Sequence, residues 1–284
     1  MSETLTIIAQ LAGLVFVVGS MLAMGLSLTV AQIAQPLKNV RLVVLALVAN
    51  FIVAPALVYG ITAVIPVSEG QRIGLILLGT AAGAPFLPKL AQAAKGNIAF
   101  AVGLMVLLMV VTVVFLPLVL PLLLTGVEVN PLDIASSLTI TMLIPLGIGL
   151  FVKARYPDLA QSLQPTFAQA SNTSLLLMMG IMLTLNVRNI LSVIGTGTIF
   201  AGVIFLIATF LVGYLLGGSD GDTKSVMGLG TGQRNISAAL VVAGQNFTDP
   251  DVLITLIVIA IIGLVILMPI AGELGKRKEA TAVA

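Results

Sequence analysis

Apolar runs dominate the chain from residue 5 to residue 272, separated by short gaps that carry its Gly, Pro and charged residues. A helix needs about 20 apolar residues to cross the hydrocarbon core of a bilayer. Punctuation by Gly, Pro and charge predicts nine such helices, at 5–29, 40–65, 71–94, 98–124, 132–153, 168–187, 192–216, 223–246 and 251–272. The N-terminal stretch carries Glu3, lacks a basic leading region and a small-residue cleavage site, and so reads as the first span and not as a removable signal.

Composition turns this pattern into a class. Hydrophobic residues make up 59% of the 284, charged residues 8%, and mean hydropathy is +1.19, which no soluble core could use. The expectation is an all-α membrane protein, one polytopic transmembrane domain over 1–284, with no room for a further globular domain. Cysteine and histidine are absent, which removes disulfides, thiol nucleophiles and histidine-based metal or proton-relay chemistry. No Ser-His, Asp-Asp or metal-ligand constellation remains, so an enzyme is not expected.

Net charge is +2, yet the basic residues lie in short loops where they set topology rather than bind nucleic acid. Alternating the loops gathers Lys38, Arg41, Lys95, Lys153, Arg155, Lys224, Lys276, Arg277 and Lys278 on one side, against Arg72 and Arg188 on the other, with Glu69, Glu128, Asp133, Asp249 and Asp251. By the positive-inside rule the crowded side is cytoplasmic, giving an inner-membrane protein with its N-terminus outside and C-terminus inside.

Two sequence echoes divide the chain. L-A-M-G-L-S-L-T at 22–29 returns as L-M-M-G-I-M-L-T at 177–184, and L-G-T-A at 78–81 returns as L-G-T-G at 229–232. Their order and near-equal offsets indicate a duplicated unit. The copies lie five spans apart, so paired spans enter the membrane from opposite sides and the repeats are inverted, a mark of secondary transporters with a site near the bilayer midplane. Gly25 and Gly180, in the first echo, are expected at close helix contacts.

Candidate breaks fall in the third and eighth spans. Pro85 and Pro88 each remove a backbone donor and crowd the preceding turn; Gly228, Gly230 and Gly232 lower helix propensity in the eighth span. Backbone freed at membrane depth must be satisfied by protein or a wet cavity. Gln233, Arg234 and Asn235 then project from the second half-helix near its anion-favouring N-terminus. Burying an arginine at mid-bilayer costs about 2.5–3.5 kcal/mol, and no Asp or Glu lies in the interior of a predicted span, so an anionic substrate is the expected counter-ion. The other reading of Arg234 is a side chain that snorkels to the interface or caps carbonyls of a neighbouring break. Lys89 either joins the cavity or reaches toward the polar end near Lys95; Asn50, mid-span before Pro55, is either interhelical glue or a ligand.

L-x-M-G-L-x-L-T in the first span, V-A-N-F-I-V-A-P (48–55) in the second, the broken third span ending in A-K-G-N (94–97), and G-x-x-N followed by A-A-L and N-F in the eighth resemble the bile acid:sodium symporter family, in particular its bacterial members. The likeness runs over nearly the whole chain and looks like the nine-span form, which begins at the L-x-M-G helix. It implies a core domain (40–124 and 192–272) and a panel domain (5–29 and 132–187), with two discontinuous helices crossing in the core. The family's usual sodium ligands are largely replaced. Leu87 and Pro88 stand where a Ser-Asn pair is typical, and Gly230 and Arg234 stand where a glutamate and a glutamine are typical, while Asn50 and Asn235 match. The expected function is alternating-access transport of a small organic anion bound by Arg234, Gln233, Asn235, Lys89 and Asn50, with a fixed cation in place of bound sodium. The alternatives are a sodium-coupled symporter typical of the family and a non-transporting membrane ligand sensor. No cofactor or resident metal is expected, and the partners are the substrate and the lipid bilayer.

Overall fold

The computed structural model describes residues 2–124, 130–185, 193 and 195–283. Glu128, Arg188, the last two residues of the predicted span 168–187 and the first of 192–216 lie outside the described residues. The architecture is all-helical: α1 Ser2–Ser27, α2 Val30–Ala34, α3 Val40–Val64, α4 Glu69–Thr80, α5 Leu87–Ala93, α6 Ile98–Leu123, α7 Pro131–Arg155, α8 Pro157–Leu185, α9 Gly197–Leu216, α10 Gly221–Gly232, α11 Ile236–Asn246 and α12 Pro250–Val283. Among the described residues, six segments are long and apolar enough to cross a membrane: Thr4–Ser27, Val40–Val64, Ile98–Leu123, Pro131–Arg155, Gly197–Leu216 and Pro250–Lys278. The protein is therefore a multi-pass membrane protein.

Side-chain caps start many of these helices. Ser68 accepts from the Gln71 N–H while Gln71 answers on the Ser68 N–H, a capping box at α4. Asn97, Asn130, Asp220 and Asn235 cap α6, α7, α10 and α11. Pro55 and Pro145 each follow a single π-helical stretch, Ala49–Val53 in α3 and Thr139–Leu143 in α7, so the helix widens where proline denies it a donor and then continues.

Two expectations about helix ends change. The sixth segment begins at Pro157 rather than near 168, since Pro157 at the first helical position and Asp158 in the first turn start a helix whose first turns are polar and mostly exposed. The last helix runs on past 272 to Val283 through a charged stretch of good helix formers, carrying a Glu273–Arg277 pair.

By packing, α1 lies against α7 and α8, while α3, α4, α9, α10 and α12 pack on one another, with α6 between α5 and α7. Gly25 sits at a real close contact: a Cβ there would stand 2.4 Å from the Leu146 carbonyl oxygen and 2.8 Å from Gly149 Cα. Gly180, its counterpart in the echo, meets nothing within 4 Å among the described residues, so the expected close contact is not found there.

Hydrogen bonds identify which loops share an end. Lys278 pairs with Asp222 at 2.9 Å and donates to the Lys95 carbonyl, joining the ends of α12, α10 and α5. At the other end Ser68 donates to Asp251, beside Gly70 and Asp249.

Between α4 and α5 the chain is non-helical at 81–86, and between α10 and α11 at 233–235. The two stretches meet. The Asn235 backbone N–H donates to the Ala81 carbonyl at 2.9 Å and its side-chain amide to the Ala82 carbonyl at 3.2 Å; the Thr112 hydroxyl of α6 donates to the Ala82 carbonyl and accepts from the Ala82 N–H, both at 3.0 Å. Backbone groups released from the helices are thus satisfied by protein, as an apolar surrounding requires.

The residues that open these gaps are not those expected. Gly228, Gly230 and Gly232 all lie inside α10, which ends only after Gly232. Their missing Cβ atoms serve packing: Gly228 faces Phe210 and Tyr214, Gly230 faces Leu87 and Leu104, and Gly232 faces Phe210 and Leu267. Pro88 sits in the first turn of α5, where a missing donor costs nothing, so it starts a helix; Pro85 does lie in the gap. The first gap turns on Gly83, whose φ of +80° and whose position against the α6 backbone leave no space for a side chain.

Candidate functional site

Helices α4 and α10 present their C-terminal ends to this crossing, so unpaired carbonyls and the negative ends of two helix dipoles converge there. Arg234, one of three residues in the second gap, reaches back into them. Its Nε donates to the Leu78 carbonyl at 3.0 Å, one terminal nitrogen to the Gly79 carbonyl at 2.8 Å, and the other to the Thr231 carbonyl at 3.1 Å and to Asn50 Oδ1 at 2.9 Å. Four of the five guanidinium N–H groups are therefore committed to neutral oxygens, and the side chain is 4% exposed. Phe205 lies under it, 5.9 Å from Cζ to the ring centroid. Leu78, Gly79 and Thr231 all belong to the L-G-T echo, so the duplicated motif supplies the carbonyl acceptors.

Asn50 is fully buried in the π-helical turn of α3. Its amide donates to the Ala46 carbonyl and to the Thr231 hydroxyl, which fixes Oδ1 toward Arg234. It is both glue between helices and a ligand of the guanidinium. Asn235, likewise buried, caps α11 and ties the two gaps together.

Beside the crossing, between it and the α1–α8 pair, lies a cavity of about 460 Å³. Its walls are largely apolar, with Phe16 and Met24 from α1, Met105 from α6, Met178 and Met179 from α8, and Ile261 from α12. Ala84–Phe86, Pro88 and Lys89 line it from the first gap and α5, and Gln233, Arg234, Ile236 and Ser237 from the second gap and α11. Lys89 is exposed, with its ammonium 5.5 Å from the Phe86 ring centroid. Gln233 Oε1 and Ser237 Oγ are buried with no hydrogen-bond partner among the described residues. An unpaired buried polar group costs about 1–3 kcal/mol, so an amide oxygen and a hydroxyl in one wall mark where a polar ligand group or water belongs.

Of the residues singled out from sequence, the structure brings Arg234, Asn50 and Asn235 together at the crossing, and Arg234, Gln233 and Lys89 to the cavity wall. Ser237, Thr112 and Gly83 were missed. The first two carry no pattern that separates them from membrane serines and threonines in general; Gly83, between two breaker signals in A-G-A-P, was legible as a turn glycine.

No metal-binding group of acidic side chains exists among the described residues. The neutral oxygens at the crossing are of the kind that hold a monovalent cation where half-helices end, but they are occupied by the guanidinium. The neighbouring position, Gly230, is filled by the Leu87 and Leu104 side chains, which offer no oxygen. Among the described residues, the oxygens of this crossing are taken by the guanidinium and do not fit a bound sodium ion beside it.

A family model described as "Sodium Bile acid symporter family" matches residues 13–193. The chain belongs to the sodium bile acid symporter family. This is a family of transporters, not enzymes. Among its relatives are proteins named as probable chloroplastic sodium/metabolite cotransporters: BASS6 and BASS3 of Arabidopsis thaliana, each 25% identical over 81% and 87% of this chain, and BASS5 of Oryza sativa subsp. indica, 25% identical over 87%. The chain spans 59% of the length of the first two and 66% of the third.

Proposed function

We propose that the protein is a secondary carrier of small organic anions that works by alternating access and does not require sodium. The observation that carries this reading is the cavity wall, which among the described residues holds two cations, Lys89 and Arg234, and no acidic side chain. Its apolar remainder suits the carbon body of a carboxylate or sulfonate. Lys89, with no acidic partner among the described residues, pairs with the anionic head; Gln233 and Ser237 orient it; Arg234, held by its carbonyls, contributes a fixed positive field and its remaining N–H. Asn50 and Asn235 act through Arg234 and the crossing.

In this reading α4–α5 and α10–α11 are each one interrupted span, which with α1, α3, α6, α7, α8, α9 and α12 makes nine. A core of 40–124 and 192–272 moves against a panel of 5–29 and 132–187, and the cavity lies where they face each other. The end that carries Lys95 and Lys278 is cytoplasmic by the positive-inside rule, in a cell inner membrane. The relatives' names support transport of a metabolite; the occupied crossing argues against the sodium dependence those names carry.

The test is uptake of a panel of radiolabelled organic acids into proteoliposomes, with sodium replaced by potassium or choline. Uptake of at least one acid at equal rates in the three salts is expected. Lys89→Ala should weaken affinity for that acid about tenfold, the equivalent of about 1.4 kcal/mol from one charge-assisted contact, with an unchanged unfolding temperature. Steep sodium dependence would overturn the reading, and binding without flux would point to a ligand sensor.

A further inference from the structure

The guanidinium at the crossing is surrounded as a bound ion would be. Every acceptor it meets is a neutral oxygen: the carbonyls of Leu78, Gly79 and Thr231 and the Asn50 amide oxygen, at 2.8–3.1 Å. No acidic side chain contributes. Three of the four are backbone atoms of the last turns of α4 and α10, so their positions come from the helices and not from the arginine. The fourth is aimed independently, since the Asn50 amide is anchored on the Ala46 carbonyl and the Thr231 hydroxyl. The nest of oxygens is therefore built whether or not Arg234 fills it.

We infer that Arg234 is a tethered cation occupying a latent monovalent-cation site, and that shortening this side chain opens the site and makes the protein dependent on a free cation. The chemistry commits to a small monovalent ion. Carbonyl and amide oxygens replace the hydration shell of such ions at half-helix ends, whereas a divalent ion would need carboxylates to offset its charge, and none lies at this site. Two opposed helix C-termini with no cation between them repel and leave carbonyls unsatisfied, so the folded state demands a positive charge here. In the present sequence that charge is covalent. It does not dissociate during a transport cycle, and the crossing stays neutralised in every state of the protein. The role differs from that of a substrate ligand: Arg234 holds the two gaps together, and an ion added to the variant would do the same.

The experiment uses the purified full chain in detergent and reads thermal unfolding in lithium, sodium, potassium, choline and guanidinium chloride at equal ionic strength, all at low millimolar to ~100 mM. Wild-type protein should unfold at one temperature in lithium, sodium, potassium and choline. Arg234→Ala and Arg234→Gln, purified in sodium, should unfold at least about 5 °C lower in choline and regain that loss in sodium or lithium, saturably. Low millimolar guanidinium should rescue Arg234→Ala more than Arg234→Gln, whose amide still obstructs the nest. Folded variants indifferent to all these cations would overturn the inference. So would a wild-type protein stabilised by sodium over choline, an arm that decides the matter even if neither variant can be purified. Neither readout involves an anion or flux: cation-indifferent variants would leave the carrier reading standing, sodium stabilisation of the wild type would count only against its independence of sodium, and a protein that moves no anion can still pass.

Discussion

Arg234 is tolerated inside the protein because its acceptors are dipoles in fixed positions. A carboxylate partner would neutralise it fully; carbonyls at two helix ends leave net positive charge beside the cavity, which an anion can use. Gly83 works on the other side of the crossing. At φ +80° it takes a conformation L-residues rarely adopt, and a Cβ there would lie 2.7 Å from the Met105 carbonyl oxygen, against α6 backbone that cannot shift alone. Gly83→Ala should therefore cost more than about 3 kcal/mol through combined strain and overlap. In detergent the expected outcome is a large drop in unfolding temperature or loss of folded protein, whereas Gly244→Ala, at a helical glycine with nothing within 4 Å of its would-be Cβ, should be neutral or slightly stabilising.

Among the elements, α10 shows how local chemistry places a functional end. Asp220 caps its start, accepting from the Thr223 hydroxyl and N–H, and twelve residues later the helix delivers its C-terminal carbonyls to Arg234. The Thr223 hydroxyl, then the Thr223 N–H, hold the Asp220 carboxyl below the usual carboxylate range. Because the folded-state value is depressed, its stabilising contribution is complete above about pH 4, the unfolded value, and disappears as pH falls through the lowered one. Asp220→Ala should cost about 1 kcal/mol of cap stabilisation at neutral pH. Thermal unfolding should show that deficit at pH 7 and a smaller one below pH 4.

Over the whole molecule, the proposed carrier differs from a sodium symporter in what it moves. Carrying a monoanion without a companion ion transfers one negative charge, worth about 2.3 kcal/mol per 100 mV of membrane potential. In liposomes holding a potassium gradient and valinomycin, an inside-positive potential should raise equilibrium accumulation of a monoanion about fifty-fold per 100 mV. One-to-one symport with sodium would be electrically silent, and accumulation insensitive to the potential would count against the uncoupled carrier.

The order of apolar runs, the L-G-T echo and the buried arginine without an acidic partner were all legible in the sequence, because bilayer thickness and the cost of buried charge act on composition and spacing alone. The sequence also left two fates open for Arg234, substrate ligand or carbonyl cap, and only the tertiary structure shows its four donors spent on Leu78, Gly79, Thr231 and Asn50. Gly228, Gly230 and Gly232 looked like a break because glycine weakens a helix by itself; packing against Phe210, Leu87 and Leu104 makes them a continuous, closely approached one. Asn50 and Arg234 are 184 residues apart, and no periodicity specifies such a contact. It exists because two helix ends, brought together by the fold, require a positive charge between them.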